Sequence, residues 1–289
     1  MLKYSITMKR VFLSISLIFV FYSCTKVQGQ GVEPDQTKRL IWSDEFDYTG
    51  FPDDSKWGYE VGFVRNEEAQ YYTKGREKNA TVEDGCLVIT GRKEKYKNPG
   101  YVKDSPKWQL NRAYAGYTSA SVVTKDKFIV KYGRVEVKAK LPFGDGTWPA
   151  IWMLGDNISK AGWPKCGELD IMEFLGREPK RIYGTCHYGD AAGKHKSEGK
   201  HIDVNPKPSE DFHLYAVNWY PDRIDFFYDE LKYFTFKIDQ AEVGDSNAFR
   251  KPFYLLINLA LGGWGGEIDD SIIPQKYYID YVRVYELEL

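Results

Sequence analysis

The stretch Cys166-Gly-Glu-Leu-Asp-Ile-Met-Glu-Phe174 places Glu168, Asp170 and Glu173 inside an otherwise apolar run. Burying unpaired charge is costly, so acids in such a setting point to a chemical use. In a strand, Glu168 and Asp170 share one face while Leu169 and Ile171 take the other. Glu173 would point away in a regular strand. One extra residue, a β-bulge near Met172, returns it to the acidic face and leaves Phe174 with the apolar set. The Cα atoms of Glu168 and Glu173 are then about 13 Å apart, and leaning side chains bring their carboxyl groups to about 5–7 Å. That overlaps the separation of about 5–5.5 Å used for glycosidic cleavage by double displacement. There one carboxylate attacks the anomeric carbon, and the other protonates the leaving oxygen and later activates water. Asp170, between them, can hold a proton or a hydrogen bond, keeping the nucleophile ionised while repulsion raises the acid's pKa. The competing reading is a solvated strand face carrying three incidental acids.

The surrounding composition agrees with an uncharged, ring-shaped partner. The 289 residues carry 40 Lys+Arg against 41 Asp+Glu, a formal net charge of -1. Nothing provides the basic excess that nucleic acid requires. Aromatic residues make up 16%, with 22 Tyr, 16 Phe and 8 Trp. Rings beyond what a core uses form recognition surfaces, and sugars stack their apolar faces on indole and phenol. At 43% hydrophobic residues the chain can bury a sizeable core.

The elements that must hold these groups read as strands. Gly133–Leu141 alternates Val135, Val137, Ala139 and Leu141 against Arg134, Glu136, Lys138 and Lys140. Tyr278–Tyr285, Phe212–Trp219, Leu87–Thr90, Ala150–Leu154, Ile182–His187, Ile224–Tyr228 and Phe253–Leu261 add further strands. Turn clusters such as Pro142–Gly146, Asn205–Pro208 and Gly262–Gly266 separate them. Only Ile238–Val243 reads as a short helical turn. Residues 39–289 are therefore expected to form one all-β sandwich domain.

Residues 1–23 read as an export signal, with Lys3, Lys9 and Arg10 ahead of the apolar Val11–Tyr22 stretch. A small residue before Cys24 fits lipoprotein processing, so the expectation is a lipid-anchored, periplasmic or cell-surface monomer with residues 24–38 as a flexible tether. An ordinary cleaved signal is the alternative. Four cysteines are too few for a disulfide framework, and a Cys166–Cys186 bridge is left open.

At the carboxylate motif the sequence resembles glycoside hydrolase family 16, most closely its laminarinase-like, endo-β-1,3-glucanase branch. The resemblance rests on Glu168–Glu173 in the bulged E-x-D-x-x-E form. It extends to Trp42–Phe46, Arg65–Tyr72, Tyr132–Val137, Gly146–Met153 and Asp280–Tyr285. It implies a β-jelly-roll sandwich of two antiparallel sheets with a concave substrate cleft. It further implies Glu168 as nucleophile, Asp170 as its helper and Glu173 as general acid/base. Trp163 and Trp148 would be cleft aromatics, Asn66 and Arg65 sugar-hydroxyl ligands, and His187 a cleft histidine on the neighbouring strand. Trp148 and Trp163 sit in Gly/Pro loops, whereas Trp152 is equally compatible with the core. Tyr71 and Tyr72 are expected to divide between cleft and core. His195, His201 and His213 read as surface or structural.

The same resemblance implies a structural Ca²⁺ held by the backbone carbonyls of Glu45 and Gly85 and the carboxylate of Asp280, with no cofactor for catalysis. A backbone hydrogen bond to Asp280 is the simpler alternative. The bulged motif together with Arg65–Tyr72 and Gly146–Met153 implies laminarin-like β-1,3-glucan as substrate, with mixed-linkage glucan as a side activity. Arg65 and Arg112 keep an algal galactan of agarose or porphyran type in view. A non-catalytic lectin-like sandwich is the rival from another class, and it gives no reason to retain three co-facial acids.

Overall fold

A computed structural model describes residues 39–288 of the chain. The expected signal, Cys24 and the whole of the expected tether lie outside these residues. Alternating strands of the kind read from Gly133–Leu141 assemble into two large sheets. The ten-stranded sheet runs Leu231–Lys237, Arg223–Tyr228, His213–Trp219, Gly133–Lys140, Gln275–Glu286, Cys86–Lys97, Tyr114–Ser119 and Gln70–Tyr72, with Arg39–Asp44 and Ala80–Glu83 added alongside. The seven-stranded sheet runs His195–Asp203, Arg181–Gly189, Glu168–Phe174, Thr147–Gly155, Phe253–Leu261, Ser121–Val123 and Gly58–Tyr59. Pairings are antiparallel apart from Gln70–Tyr72 against Tyr114–Ser119, which is parallel.

The sheets pack face to face, as half-polar strands must in order to hide their apolar sides. Val135, Val137 and Ala139 from one sheet meet Ile151, Met153, Leu169 and Phe174 from the other in a single buried cluster. Ile238–Ala241 is a 3-10 turn. The strand His195–Asp203 was not foreseen. Its sequence, His-Lys-Ser-Glu-Gly-Lys-His-Ile-Asp, has no apolar alternation because it lies at the sheet edge, largely exposed.

Within Glu168–Phe174 the pairing steps out of register. Asp170 opposes Trp152 and Met172 opposes Ile151, so two residues on this strand match one on its neighbour. Against the other neighbour, Asp170 opposes Thr185 and Glu173 opposes Tyr183. The bulge therefore falls at Ile171-Met172, and both side chains enter the core. Leu169 and Phe174 join them, which leaves Glu168, Asp170 and Glu173 together on the opposite face.

The bridge left open between Cys166 and Cys186 does not form. Both thiols are free and buried. Cys186 lies in the inter-sheet core, whereas Cys166 belongs to a separate cluster with Trp152, Leu154 and Tyr254, so the thiols occupy different apolar environments. Burial pushes Cys166 up to about 11 and Cys186 well above the ordinary thiol range, making both poor nucleophiles.

Because Met172 is held in the core by the bulge, truncating it should leave a cavity. Met172→Ala is expected to lower unfolding free energy by about 2–5 kcal/mol, and Met172→Leu by less than about 1.5 kcal/mol, in urea titrations. Equal costs for the two variants would contradict this placement of the side chain.

Candidate active site

The acidic face lines a cavity of about 480 Å³. Its walls include Glu168, Asp170 and Glu173, the aromatic rings of Trp148, Trp152, Trp163 and Tyr254, and the polar groups of Glu60, Arg65, Asn66, Glu68 and Asn258. Alternation along Thr147–Gly155 explains one wall. Trp148, Ala150, Trp152 and Leu154 face the cavity, and Ile151 and Met153 face the core.

The two glutamates have different partners. Glu168 Oε2 accepts a hydrogen bond from Trp163 Nε1 at 3.0 Å, and His187 Nε2 lies 3.8 Å from its Oε1. Glu173 Oε1 accepts from Trp148 Nε1 at 3.1 Å. Asp170, only 3% exposed, has its Oδ2 3.0 Å from His187 Nε2, although no aligned hydrogen bond reaches that oxygen. One oxygen each of Glu168 and Asp170 and one nitrogen of His187 lie within 4.8 Å of one another. Register explains this grouping, since His187 stands directly across from Glu168 on the adjacent strand.

These surroundings divide the protons unequally. Burial raises the Glu168 carboxyl above its usual range, with His187, the Trp163 N–H and Arg65 pulling it back. Burial, then the neighbouring Glu168 charge, holds Asp170 well above the carboxylate range. Burial, followed by the charges of Asp170 and Glu168, does the same to Glu173, against only weaker help from His187 and Trp148. Glu168 thus ionises most readily of the three, and Asp170 and Glu173 are held the more strongly toward their protonated forms. An ionised carboxylate beside a protonated one is the pair that acid-assisted nucleophilic displacement needs.

The remaining residues take more varied positions. Arg65 ion-pairs with Glu60 and lies 4.8 Å over the Trp152 ring. Asn66 adopts a left-handed backbone, φ 56°, and donates to Glu68 at 3.3 Å. Trp152 is both core and wall: its ring is almost buried, and its Nε1 donates to Asn258 at 2.7 Å. Tyr71 and Tyr72 do not divide as expected. Both are buried and neither lines the cavity, because Tyr71 packs on Phe63 and Tyr72 accepts from Asn258 behind the wall. Arg112 lies over Phe63 and Trp108 and hydrogen-bonds the Glu68 carbonyl, also behind the wall.

Sequence reasoning passed over three groups. Trp264, 42% exposed, meets Trp148 edge-on with centroids 5.6 Å apart, and Tyr183 lies 5.2 Å beyond it. Its Gly-Gly-Trp-Gly-Gly setting read only as a turn. Glu68, buried, accepts from Gln70 at 2.6 Å and anchors the segment bearing Asn66. His195, taken as surface or structural, hydrogen-bonds His187. His213 is structural, held 2.9 Å from Asp229, and His201 is an exposed neighbour of Tyr183.

The three residues expected to hold Ca²⁺ lie far along the ten-stranded sheet. Asp280 falls in the gap on Gln275–Glu286 between its last pairing with one neighbour, Ile279↔Leu87, and its first with another, Val282↔Asp44. Asp280 Oδ2 lies 3.1 Å from the Lys138 ammonium, an ion pair that a hard cation would have to displace before using this oxygen.

A two-sheet sandwich that sets two carboxyl groups of unequal acidity along an aromatic-walled cavity defines a carboxylate-dependent glycan hydrolase. Comparison with known proteins agrees. The glycosyl hydrolases family 16 model matches residues 67–283, and the chain belongs to that family. It is 39% identical over 283 residues to a β-glucanase of Rhodothermus marinus, covering 93% of this chain and 92% of that one. The solved laminarinase of the same organism is 40% identical, with 87% and 98% of the two chains covered and a TM-score of 0.75. A structure from work on endo-acting O-glycanases of the human gut microbiota that initiate mucin breakdown is 37% identical. It covers 88% and 92% of the two chains, with a TM-score of 0.82.

Because the folded-state Glu173 carboxyl is raised, its ionisation is penalised in the native protein and the penalty grows as pH rises above the unfolded value. Glu173→Gln should therefore raise Tm at neutral pH and change it little near pH 3, by calorimetry. Removing the Trp148 N–H takes away a bond that lowers the same pKa. Trp148→Phe is thus expected to move the alkaline limb of kcat/KM to higher pH, and an unmoved or lowered limb would contradict the assignment.

Proposed function

We propose that the protein is a retaining endo-glycosidase that hydrolyses β-1,3-glucan, with mixed-linkage β-1,3-1,4-glucan as a further substrate. The observation that carries this is the bulge-enforced co-facial placement of Glu168, Asp170 and Glu173, within a chain closely similar to laminarinases. In the first step the ionised Glu168 attacks the anomeric carbon while Glu173 gives its proton to the leaving oxygen. In the second, Glu173, now ionised, deprotonates a water that displaces Glu168 from the sugar. Asp170, protonated beside Glu168, stabilises the nucleophile's charge without adding a second one. Trp163 orients Glu168 through its N–H and offers its half-exposed ring, 50% accessible, as a stacking floor. Asn66 and Arg65, which line the same cavity, supply hydroxyl ligands. Trp148 and Trp264 extend the apolar surface past Glu173, where the leaving part of the chain would rest.

A second reading has one specific support. The TM-score to the O-glycanase structure, 0.82, exceeds that to the laminarinase, 0.75, at similar identity. On that reading the same acids cut mucin O-glycans. We further propose that Glu45, Gly85 and Asp280 hold a structural Ca²⁺, which would tie together strands that meet at a gap. The export and lipid-anchor reading of residues 1–24 stands as part of the same proposal, placing the enzyme where polysaccharide is met.

Released reducing ends, measured on laminarin, lichenan, agarose, porphyran and mucin O-glycans, rank these readings. Laminarin is expected to be cleaved best. Glu168→Ala should abolish release and Glu173→Ala lower kcat by about 10²–10⁴-fold; activity in Glu168→Ala equal to wild type would refute the mechanism. Proton NMR of early product should show the β-anomer first. Millimolar Ca²⁺ should raise the Tm of the chelator-treated protein but not that of Asp280→Asn, and equal response in both would remove the calcium site.

A further inference from the structure

We propose that His195 is a positioning residue of this active site, fixing the tautomer of His187 that carries its proton on Nε2, toward Asp170 and Glu168. The inference rests on the hydrolase reading above for its catalytic consequence, and on geometry and local charge for the tautomer.

His187 Nε2 lies 3.0 Å from Asp170 Oδ2 and 3.8 Å from Glu168 Oε1. Glu168 ionises before Asp170, so a lone pair on Nε2 would face a negative oxygen, and we place the hydrogen on this nitrogen. The contrary arrangement, with a protonated Asp170 donating to Nε2, is distinguished by nitrogen-15 spectra. A neutral imidazole has one N–H, and its other nitrogen must then accept. His187 Nδ1 is 2.8 Å from His195 Nε2. His195 therefore donates from Nε2 to the Nδ1 lone pair. Two facing N–H groups cannot occupy 2.8 Å, so the pair never holds both imidazoles as cations. Burial and the proximity of His187 favour neutral His195, in keeping with a donor that stays uncharged.

The placement follows from the sheet. His195 opens the edge strand and pairs with Gly189, whereas His187 faces Glu168 across the next ladder. The two imidazoles are nearly parallel, with centroids 5.0 Å apart, and His195 also packs at 4.7 Å on the Trp163 ring. Trp163 in turn donates to Glu168. His195 thus touches both groups that hold the nucleophilic end of the site without touching the carboxylates. The bland alternative is that it merely props the Trp163 ring. That role needs packing, whereas tautomer selection needs an N–H.

Nitrogen-15 spectra of the full-length protein distinguish these roles. In the wild type His187 should show a pyridine-type Nδ1 and a pyrrole-type Nε2. His195→Ala should mix the tautomers and lower kcat about 10-fold, the scale seen when a group orienting a functional histidine is lost. His195→Gln, whose amide can donate from a similar position, should restore most of kcat and the His187 signature. His195→Phe keeps a ring beside Trp163 but has no donor, so it should behave like His195→Ala in kcat while holding KM near the wild-type value. An unchanged His187 tautomer in His195→Ala, or recovery of kcat by His195→Phe, would overturn the proposal. Wild-type release of reducing ends reports on the hydrolase reading separately, because the tautomer signal does not depend on turnover.

Discussion

Three carboxyl groups crowd one face of a strand whose other face is sealed in an apolar core, and they cannot all ionise there. Desolvation and mutual repulsion act on each of them, and compensation is uneven. Glu168 has an indole N–H and an imidazole beside it, and more distant help from Arg65. Glu173 has the indole of Trp148, while Asp170 has no aligned donor on the oxygen that faces His187. That imbalance makes Glu168 the most readily ionised of the three and Asp170 and Glu173 the more reluctant, the division on which the proposed mechanism rests. The rest of the molecule serves to keep the imbalance fixed.

The sheet supplies that rigidity. The acidic strand lies between Thr147–Gly155 and Arg181–Gly189, so each acid is backed by ladders on both sides. Side chains reach the acids from those same ladders: Trp148 from one, His187 from the other. Trp163 arrives from a loop, which folds back so that its indole reaches Glu168. A site built on paired strands loses little freedom when substrate binds, which favours catalysis by orientation.

Much of this was legible in the chain because the relevant signals are local. Alternation in Gly133–Lys140 and the apolar run Phe253–Leu261 pointed to the sandwich, and the mismatch between five-residue spacing and a two-residue period pointed to the bulge. What stayed hidden depended on long-range pairing. Strand His195–Asp203 is polar on both faces, so no periodic pattern marks it, and the position of His195 beside His187 emerges only once that strand joins the sheet. Trp264 lies among glycines that read as a turn, and only the fold brings it edge-on to Trp148. Tyr71 and Tyr72 looked like an alternating pair, yet their short strand sits behind the cavity wall, where both sides are covered.

The polar edge strand has a consequence for how copies of this protein coexist. An open strand offers unpaired amides and carbonyls to any other extended chain, and a flat apolar rim would invite stacking into fibrils. Here the rim carries Lys196, Glu198, Lys200 and Asp203, whose hydration and charge make such docking unfavourable. The charge on this rim therefore disfavours edge-to-edge pairing through this particular strand.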